Sequence, residues 1–314
     1  MTMAPRFTLV AVALGVASLL GACGGSDDAA ESAATTSVRS ASRCPGDAGR
    51  TRELRYASVP GVDPELLSLD VYPAARGCPA PVVVWVHGGG WRIGDKRNQL
   101  DDKLRLWHDA GYTVVSVNYR LSDPAVKPAV RYPAHDEDVA AAVAWVHGHI
   151  AAYGGDPDRV ALLGHSAGAQ IVAAIATDER HLAGHGLGLD AVRCVGALDT
   201  EGYDVSAMAA TGNPIYRAAF GDDPATWTDA SPITHVAPGK GIPRFLVVER
   251  GTPRRRRAAE DFVGRLRAAG VDVTTVDAGS LSHAEVNSEI GRPTDTVITP
   301  PLSAFLADCL APTP

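Results

Sequence analysis

The sequence predicts an α/β fold, in which a mostly parallel sheet is covered by helices on both faces. Two observations support this prediction. Short apolar runs that are typical of buried parallel strands alternate with longer helical runs along the 314-residue chain. A Gly-x-Ser-x-Gly pentapeptide also lies where one such strand passes into one such helix. This alternation suits one large α/β domain.

The pattern predicts eight strands and five long helices. The strands are expected near residues 52–57, 66–72, 81–87, 112–118, 159–164, 192–198, 244–249 and 271–277. The helices are expected near residues 97–110, 135–152, 167–178, 255–269 and 296–310. Residues 203–236 fit neither pattern, and they are expected to form either a cap or wall over a site or a plain surface excursion.

The first 22 residues have the pattern of a targeting segment. Arg6 precedes an apolar stretch, 7–20, that is too short for a comfortable membrane span. The Leu-Gly-Ala-Cys sequence that ends at Cys23 resembles a bacterial lipoprotein signal, in which this cysteine becomes the lipidated first residue; simple secretion is the alternative. Residues 1–22 are therefore predicted to be a signal peptide. The mature protein is expected to be exported and anchored to a membrane on its periplasmic or extracellular side.

The segment that follows Cys23 differs sharply from the rest of the chain. Residues 23–43 are rich in Gly, Ser, Ala, Thr and Asp and have too few large apolar side chains to bury a core. They are predicted to form a flexible tether, and residues 44–314 to form the α/β domain. The net charge of −7 argues against nucleic acid as a partner.

Four cysteines remain after Cys23, and an even number in an exported chain favours two disulfides. Among the three pairings, Cys44–Cys78 with Cys194–Cys309 is preferred; four buried free thiols are the alternative. The cysteines lack the spacing of a metal site, so no metal is expected.

Ser166 is the candidate nucleophile. It lies in Gly164-His165-Ser166-Ala167-Gly168, after the apolar run 159–163 and before the helical run 170–176. This strand-to-helix context is the one that a nucleophile elbow requires, because glycines permit a tight turn and the serine is held above the sheet. The alternative is a glycine-rich structural turn with an idle serine.

A glycine run offers the matching oxyanion site. His87-Gly88-Gly89-Gly90-Trp91 follows the apolar strand 81–86. A turn without Cβ atoms lets backbone N–H groups approach a developing oxyanion, and the N–H groups of Gly89, Gly90 and Ala167 are assigned to that role. A phosphate-binding loop is the alternative, but the spacing that follows does not fit the Walker pattern.

Four motifs in this order carry a family resemblance. They are His87-Gly88-Gly89-Gly90-Trp91, Asn118-Tyr119-Arg120-Leu121, Tyr153-Gly154-Gly155-Asp156-Pro157 and Gly164-His165-Ser166-Ala167-Gly168. Over residues 50–310 the chain resembles α/β-hydrolase esterases with a His-Gly-Gly-Gly oxyanion loop, similar to hormone-sensitive-lipase-like carboxylesterases, feruloyl esterases and kynurenine formamidases. The resemblance implies the α/β-hydrolase fold and a triad in the chain order Ser, acid, His.

His283 is the candidate general base. It follows the last predicted strand, which is where the family carries this residue. Imidazole suits the role because its ordinary pKa lies near working pH, so it can take and return a proton.

The triad acid departs from the family pattern. The family places Asp in the loop after the seventh strand, whereas residues 249–254 read Glu-Arg-Gly-Thr-Pro-Arg and contain none. Asp199, at the end of the strand 194–198, is favoured, and Glu249 is the next candidate. Asp204 and Asp277 are further ones, and a dyad without an acid is also considered.

The arginine run 254–257 stands at the predicted start of a helix, where positive charge opposes the helix dipole. It is interpreted either as a solvated face or as a contact to an anion or a lipid headgroup.

These residues predict a serine hydrolase that cleaves a small-molecule carboxylic ester through an acyl-enzyme intermediate, with no cofactor. Two alternatives remain open. One is an amidase such as an arylformamidase. The other is a surface binding module that kept the fold and lost turnover, which the missing acid after the seventh strand suggests.

Overall fold

The computed structural model, which describes residues 50–123 and 125–312, is built around one eight-stranded sheet. The strands are β1 (Arg52–Arg55), β2 (Ser68–Tyr72), β3 (Ala80–Val86), β4 (Thr113–Val117), β5 (Gly155–His165), β6 (Cys194–Leu198), β7 (Arg244–Glu249) and β8 (Val273–Asp277). Their order across the sheet is β1-β2-β4-β3-β5-β6-β7-β8. The pairs β1–β2 and β2–β4 are antiparallel, and all other neighbours are parallel.

Helices pack on both faces of this sheet and follow its strands along the chain. They are α1 (Asp101–Asp109), α2 (Ala134–His149), α3 (Ala167–Thr177), α4 (Glu179–Ala183), α5 (Val205–Ala209), α6 (Pro214–Phe220), α7 (Pro224–Asp229), α8 (Pro232–His235), α9 (Pro253–Ala268), α10 (His283–Ser288) and α11 (Thr299–Cys309). None of these helices is long and apolar enough to cross a membrane.

Strand β3 shows why the sheet needs a layer on each side. Val82, Val84 and Val86 belong to one buried cluster, while Val83 and Trp85 belong to a second cluster. Successive side chains of a strand point to opposite faces, so both faces are covered and the strand reads as an unbroken apolar run. Because both faces of the sheet are covered, a site can form where the parallel strands end, at their carboxyl ends.

All eight predicted strands and all five predicted long helices occur near their predicted places. The sequence prediction omitted the helices α4 to α8 and α10, which have only four to seven residues. Such short helices show too little periodicity to be recognised from a pattern of apolar residues. Helices α5 to α8 account for most of the segment 203–236.

A disulfide joins Cys194, at the start of β6, to Cys309, at the end of α11. This is the pairing that the sequence analysis prefers for these two cysteines. Cys44 lies outside the described residues, as do Cys23, the segments 1–22 and 23–43 and the domain start at residue 44. The Cys44–Cys78 pairing thus stays a prediction.

Candidate active site

Ser166 lies on a tight turn between β5 and α3. Its backbone has φ 57° and ψ −117°, a conformation that residues with a side chain rarely adopt. A Cβ at Gly164 would come 2.3 Å from the carbonyl oxygen of Gly168, and a Cβ at Gly168 would come 2.3 Å from that of Val86. Both positions therefore require glycine, and together they allow the turn that presents the serine above the sheet.

A chain of hydrogen bonds connects Ser166 to His283 and Asp199. The distance from Ser166 Oγ to His283 Nε2 is 2.9 Å, and the distance from His283 Nδ1 to Asp199 Oδ2 is 2.6 Å. Asp199 directly follows β6, and His283 is the first residue of α10, which follows β8. Three separate strand ends thus bring together residues that are far apart in the sequence. This is the geometry of a nucleophile, a base and a group that orients the base.

Asp199 is a charged group in a buried place, since only 2% of the residue is exposed. Burial by itself would raise the pKa of its carboxyl, but the hydrogen bonds from His283 and Arg255 outweigh burial and hold that pKa well below its usual range. Asp199 is therefore ionised at neutral pH and can stabilise a positive charge on His283.

His165 supports the base from the other side. Its Nε2 lies 3.0 Å from the carbonyl oxygen of His283, and the centroids of the two rings are 4.6 Å apart. Burial lowers the pKa of His165 to about 3, and the neighbouring His283 contributes to this shift. The neutral ring can donate its Nε2–H to that carbonyl, so His165 holds the backbone of the base in place.

The glycine run after β3 forms a second turn beside Ser166. Gly89 and Gly90 have φ angles of 119° and 60°, and a Cβ at Gly89 would come 1.9 Å from the carbonyl oxygen of Ile93. Within the described residues, the N–H groups of Gly89, Gly90 and Ala167 have no protein acceptor. These donors are available to an oxygen of a bound ligand.

A cavity of about 650 Å³ opens over these residues. Its lining includes Ser166, His283, the glycines of the run 88–90, Thr200, Glu201 and Arg255. The segment 203–236 contributes Asn213, Ile215 and Tyr216 to the wall. Part of this segment therefore lines the cavity, and its interpretation as a cap or wall stays a prediction.

The other candidate acids have different surroundings. Glu249 lies opposite Asp277 in the register of β7 and β8, and burial together with the charge of Glu260 raises its pKa. Asp277 accepts a hydrogen bond from Arg256, and Asp204 accepts one from the backbone N–H of Ala207 at the start of α5. Among the four candidates in the described chain, only Asp199 contacts His283.

Sequence reasoning missed Arg250 and Arg255. Arg250 Nη1 lies 2.8 Å from Asp199 Oδ2, and Arg255 Nη2 lies 2.9 Å from Asp199 Oδ1. Arg255 also pairs with Glu201. Of the two interpretations of the run 254–257, a solvated face does not describe Arg255, whose side chain is 22% exposed and pairs with two carboxylates of the protein itself. The signal that could have found them is the loop 249–254, where the family's Asp is expected and none occurs: Arg250 lies in this loop and Arg255 directly follows it.

One group of side chains has the proximity of a metal site. In the described residues, potential ligand atoms of His165, Asp199 and His283 lie within 4.8 Å of one another. Two guanidinium groups already bind the Asp199 carboxylate, and their charge opposes a cation at this place. The arrangement suits proton transfer better than metal binding.

Comparison with known families decides which group of proteins the chain belongs to. The model of the BD-FAE family matches residues 69–250, a stretch that includes the glycine run, Ser166 and Asp199. The chain belongs to the BD-FAE family.

Curated proteins with related sequences include two from Mycobacterium tuberculosis. Esterase LipQ is 31% identical over 254 residues, which cover 76% of this chain and 56% of LipQ. Carboxylesterase NlhH is 33% identical over 227 residues, which cover 66% of this chain and 67% of NlhH. This BD-FAE chain thus spans little more than half the length of LipQ.

Solved structures give the same fold. The carboxylesterase EstE1, cloned from a metagenomic library, matches with a TM-score of 0.66 and 24% identity, covering 84% of this chain and 90% of EstE1. A truncated carbohydrate esterase from gut microbiota matches with a TM-score of 0.67 and 19% identity, covering 85% of this chain and 99% of that one. The predicted α/β-hydrolase fold is confirmed.

Proposed function

We propose that this BD-FAE protein is a serine hydrolase that cleaves carboxylic esters through an acyl-enzyme intermediate. The observation that carries the proposal is the hydrogen-bonded chain from Ser166 Oγ through His283 to Asp199, of which Ser166 and His283 line the cavity. The relatives LipQ and NlhH, which are named an esterase and a carboxylesterase, support it.

In the first half of the reaction, His283 Nε2 takes the hydroxyl proton of Ser166 while Oγ attacks the ester carbonyl carbon. The carbonyl oxygen becomes an oxyanion, and the N–H groups of Gly89, Gly90 and Ala167 donate hydrogen bonds to it. Each such donor stabilises the transition state by about 2.7–4 kcal/mol. The imidazolium then gives its proton to the leaving alcohol as the ester C–O bond breaks.

In the second half, water releases the acyl group. His283 takes a proton from the water as its oxygen attacks the acyl carbon, and the same proton returns to Ser166 Oγ when the carboxylic acid leaves. Asp199 stays ionised throughout, orients the imidazole through Nδ1 and stabilises its positive charge. Water is the only co-substrate of these steps.

The test is the hydrolysis of nitrophenyl esters, from acetate to palmitate, by the full chain and two serine variants. Ser166→Ala removes the nucleophile, and we expect it to lower kcat by about 10⁴-fold or more. Ser206→Ala, which removes a solvent-exposed hydrogen bond to Thr228, serves as the control and should keep the wild-type rate. If no ester gives turnover that depends on Ser166, the esterase proposal fails, and nitroanilides then test the amidase alternative.

We further propose that the protein is exported and held at a membrane by a lipid on Cys23, with residues 24–43 as the tether. The apolar stretch 7–20 and the Leu-Gly-Ala-Cys sequence support this proposal. In bacterial cells fed labelled palmitate, the wild-type protein should carry the label and sediment with membranes, whereas Cys23→Ser should carry none. Equal labelling of the two proteins would contradict the lipid anchor.

A further inference from the structure

Two arginines bind the carboxylate of Asp199 from the segment that follows β7. We propose that Arg250 and Arg255 are positioning residues that hold Asp199 in the orientation that His283 requires. In the esterases that this chain resembles, the segment after β7 carries the triad acid. Here the acid follows β6, and the segment after β7 would instead carry the two arginines that hold it. This inference rests on the proposed function, because it concerns how the triad of that reaction is kept in order.

The contacts leave Asp199 little freedom. Its Oδ2 accepts from His283 Nδ1 at 2.6 Å and from Arg250 Nη1 at 2.8 Å, while Oδ1 accepts from Arg255 Nη2 at 2.9 Å. A single hydrogen bond to the base would leave the carboxylate free to rotate about its Cβ–Cγ bond. Donors on both oxygens fix the plane of the group, and hydrogen bonds between charged groups are stronger than neutral ones.

The backbone of Asp199 adds a reason for this support. Its φ of 56° lies in the left-handed region, which costs free energy for a residue with a side chain. This unfavourable backbone conformation persists only if contacts around Asp199 stabilise it. The guanidinium groups of Arg250 and Arg255 supply such contacts to its carboxylate.

Arg250 connects the acid directly to the loop that carries the base. Its Nη1 donates to Asp199, and its Nε donates at 3.0 Å to the carbonyl oxygen of Leu281, two residues before His283. One planar guanidinium thus fixes the distance between the two loops.

Arg255 has a different set of neighbours. It binds Asp199 and Glu201, and its Nη2 lies 3.5 Å from His283 Nδ1. Gly251, with φ 85°, makes room for it, because a Cβ there would come 3.0 Å from Arg255 Cδ. In the part of the chain that the structure describes, the charged or titratable groups in contact with the His283 ring are thus Asp199, Arg255 and His165. Arg250 pairs in turn with Asp199, and Glu201 with Arg255.

The experiment measures kcat, KM and the pH profile of kcat/KM for a nitrophenyl ester with the full chain. Arg250→Met and Arg255→Met remove the support, and Arg257→Met, at an exposed arginine of α9, the helix that carries Arg255, is the matched control. We expect the first two variants to lower kcat about 10- to 100-fold with little change in KM, as a displaced catalytic group does. Arg255→Met should also move the acidic limb of the profile to higher pH, because a positive charge beside Nδ1 is lost.

An Asp199→Asn background shows whether the arginines act through the acid. There, Arg250→Met and Arg255→Met should lower kcat no further, because the group that they position is already disabled. An equal loss in both backgrounds would overturn the inference, as would wild-type rates and profiles in the single variants. If a methionine variant does not fold, Arg250→Lys and Arg255→Lys take its place, with the loss expected to be smaller.

The wild type and Ser166→Ala separate this inference from the proposed function. Absence of turnover that depends on Ser166 in the wild type would reject the esterase. Turnover that depends on Ser166 but is unaffected in both arginine variants would reject only the role of Arg250 and Arg255.

Discussion

Asp199 and Asp136 are two buried carboxylates with opposite electrostatic behaviour. Both are almost fully shielded from solvent, with 2% and 1% of the residue exposed. Asp199 accepts hydrogen bonds from His283, Arg250 and Arg255. Burial raises the pKa of its carboxyl, but the hydrogen bonds from His283 and Arg255 outweigh burial and hold that pKa well below the usual range. Asp136 lies in the first turn of α2, its Oδ2 has no hydrogen-bond partner among the described residues, and burial raises its pKa well above the ordinary value.

The difference teaches that burial alone does not decide the charge of a carboxylate. Burial disfavours the ionised form of both groups, and nearby carboxylates such as Asp178 add to this effect at Asp136. Only Asp199 has cationic donors that reverse it. A buried carboxylate thus stays ionised only where the fold brings hydrogen-bond donors to it. At Asp199 these donors surround the carboxylate that His283 needs as its anionic partner.

The largest expected contrast is catalytic. Asp199→Asn keeps the shape of the side chain but removes the charge that orients and stabilises His283, and we expect kcat to fall about 10³- to 10⁴-fold. Asp136→Asn, the matched change at the other buried carboxylate, should leave kcat within about twofold. The rates with a nitrophenyl ester check both values. Similar losses in the two variants would mean that the acid is not Asp199 or that both changes act through misfolding.

The next contrast is the pH dependence of stability, and its sign differs between the two groups. The pKa of Asp199 is lower in the folded than in the unfolded chain, so its contribution exists above about pH 4 and is lost as pH falls. The pKa of Asp136 is higher in the folded chain, so its contribution exists at low pH and is lost as pH rises through the folded value.

Urea unfolding at several pH values measures this contrast. Relative to the wild type, Asp199→Asn should lose about 2–4 kcal/mol at pH 7, because two arginines lose their anion, and less at low pH. Asp136→Asn should become more stable relative to the wild type as pH rises. Parallel pH curves for the two variants would contradict the assignment of opposite charge states.

The smallest expected effect concerns His165, a buried ring at the same site that stays neutral. Its pKa of about 3 in the folded chain lies below the unfolded value of about 6.5, so its contribution to stability is lost as pH falls from 6.5 towards 3. His165→Gln, which keeps a donor for the carbonyl of His283, should therefore lose less stability over this range than the wild type does. We expect kcat to fall less than about tenfold. Acid unfolding curves that coincide for the two proteins would contradict this reading.

The sequence allowed the fold and part of the site to be predicted for physical reasons. Runs such as 81–86 are buried on both faces and therefore read plainly as parallel strands. Ser166 was recognisable from its place at a strand-to-helix turn, and His283 from the resemblance to esterases that carry their base after the last strand. Asp199 could be favoured, since it ends a strand, but the choice over Glu249 depended on which of the two reaches His283.

The support of the acid could not be predicted in this way. Arg254 to Arg257 are four identical residues in sequence, and only the path of the chain after β7 places Arg255, at 22% exposure, against Asp199 and Glu201. Arg250 likewise gives no pattern of its own, because its partners Asp199 and Leu281 are 51 and 31 residues away. Contacts between distant loops are set by the packing of the sheet rather than by any local preference.

The most direct test of the central claim is covalent labelling of the nucleophile. The full chain is treated with an organophosphonate, which reacts with an activated serine, and the adduct is located by mass spectrometry of peptides. We expect one adduct on Ser166 in the wild type, formed far more slowly in His283→Ala and lost together with ester hydrolysis in Ser166→Ala. Two results would contradict Ser166 as the nucleophile. One is wild-type protein that hydrolyses the ester but forms no adduct on Ser166, and the other is an adduct on a different serine.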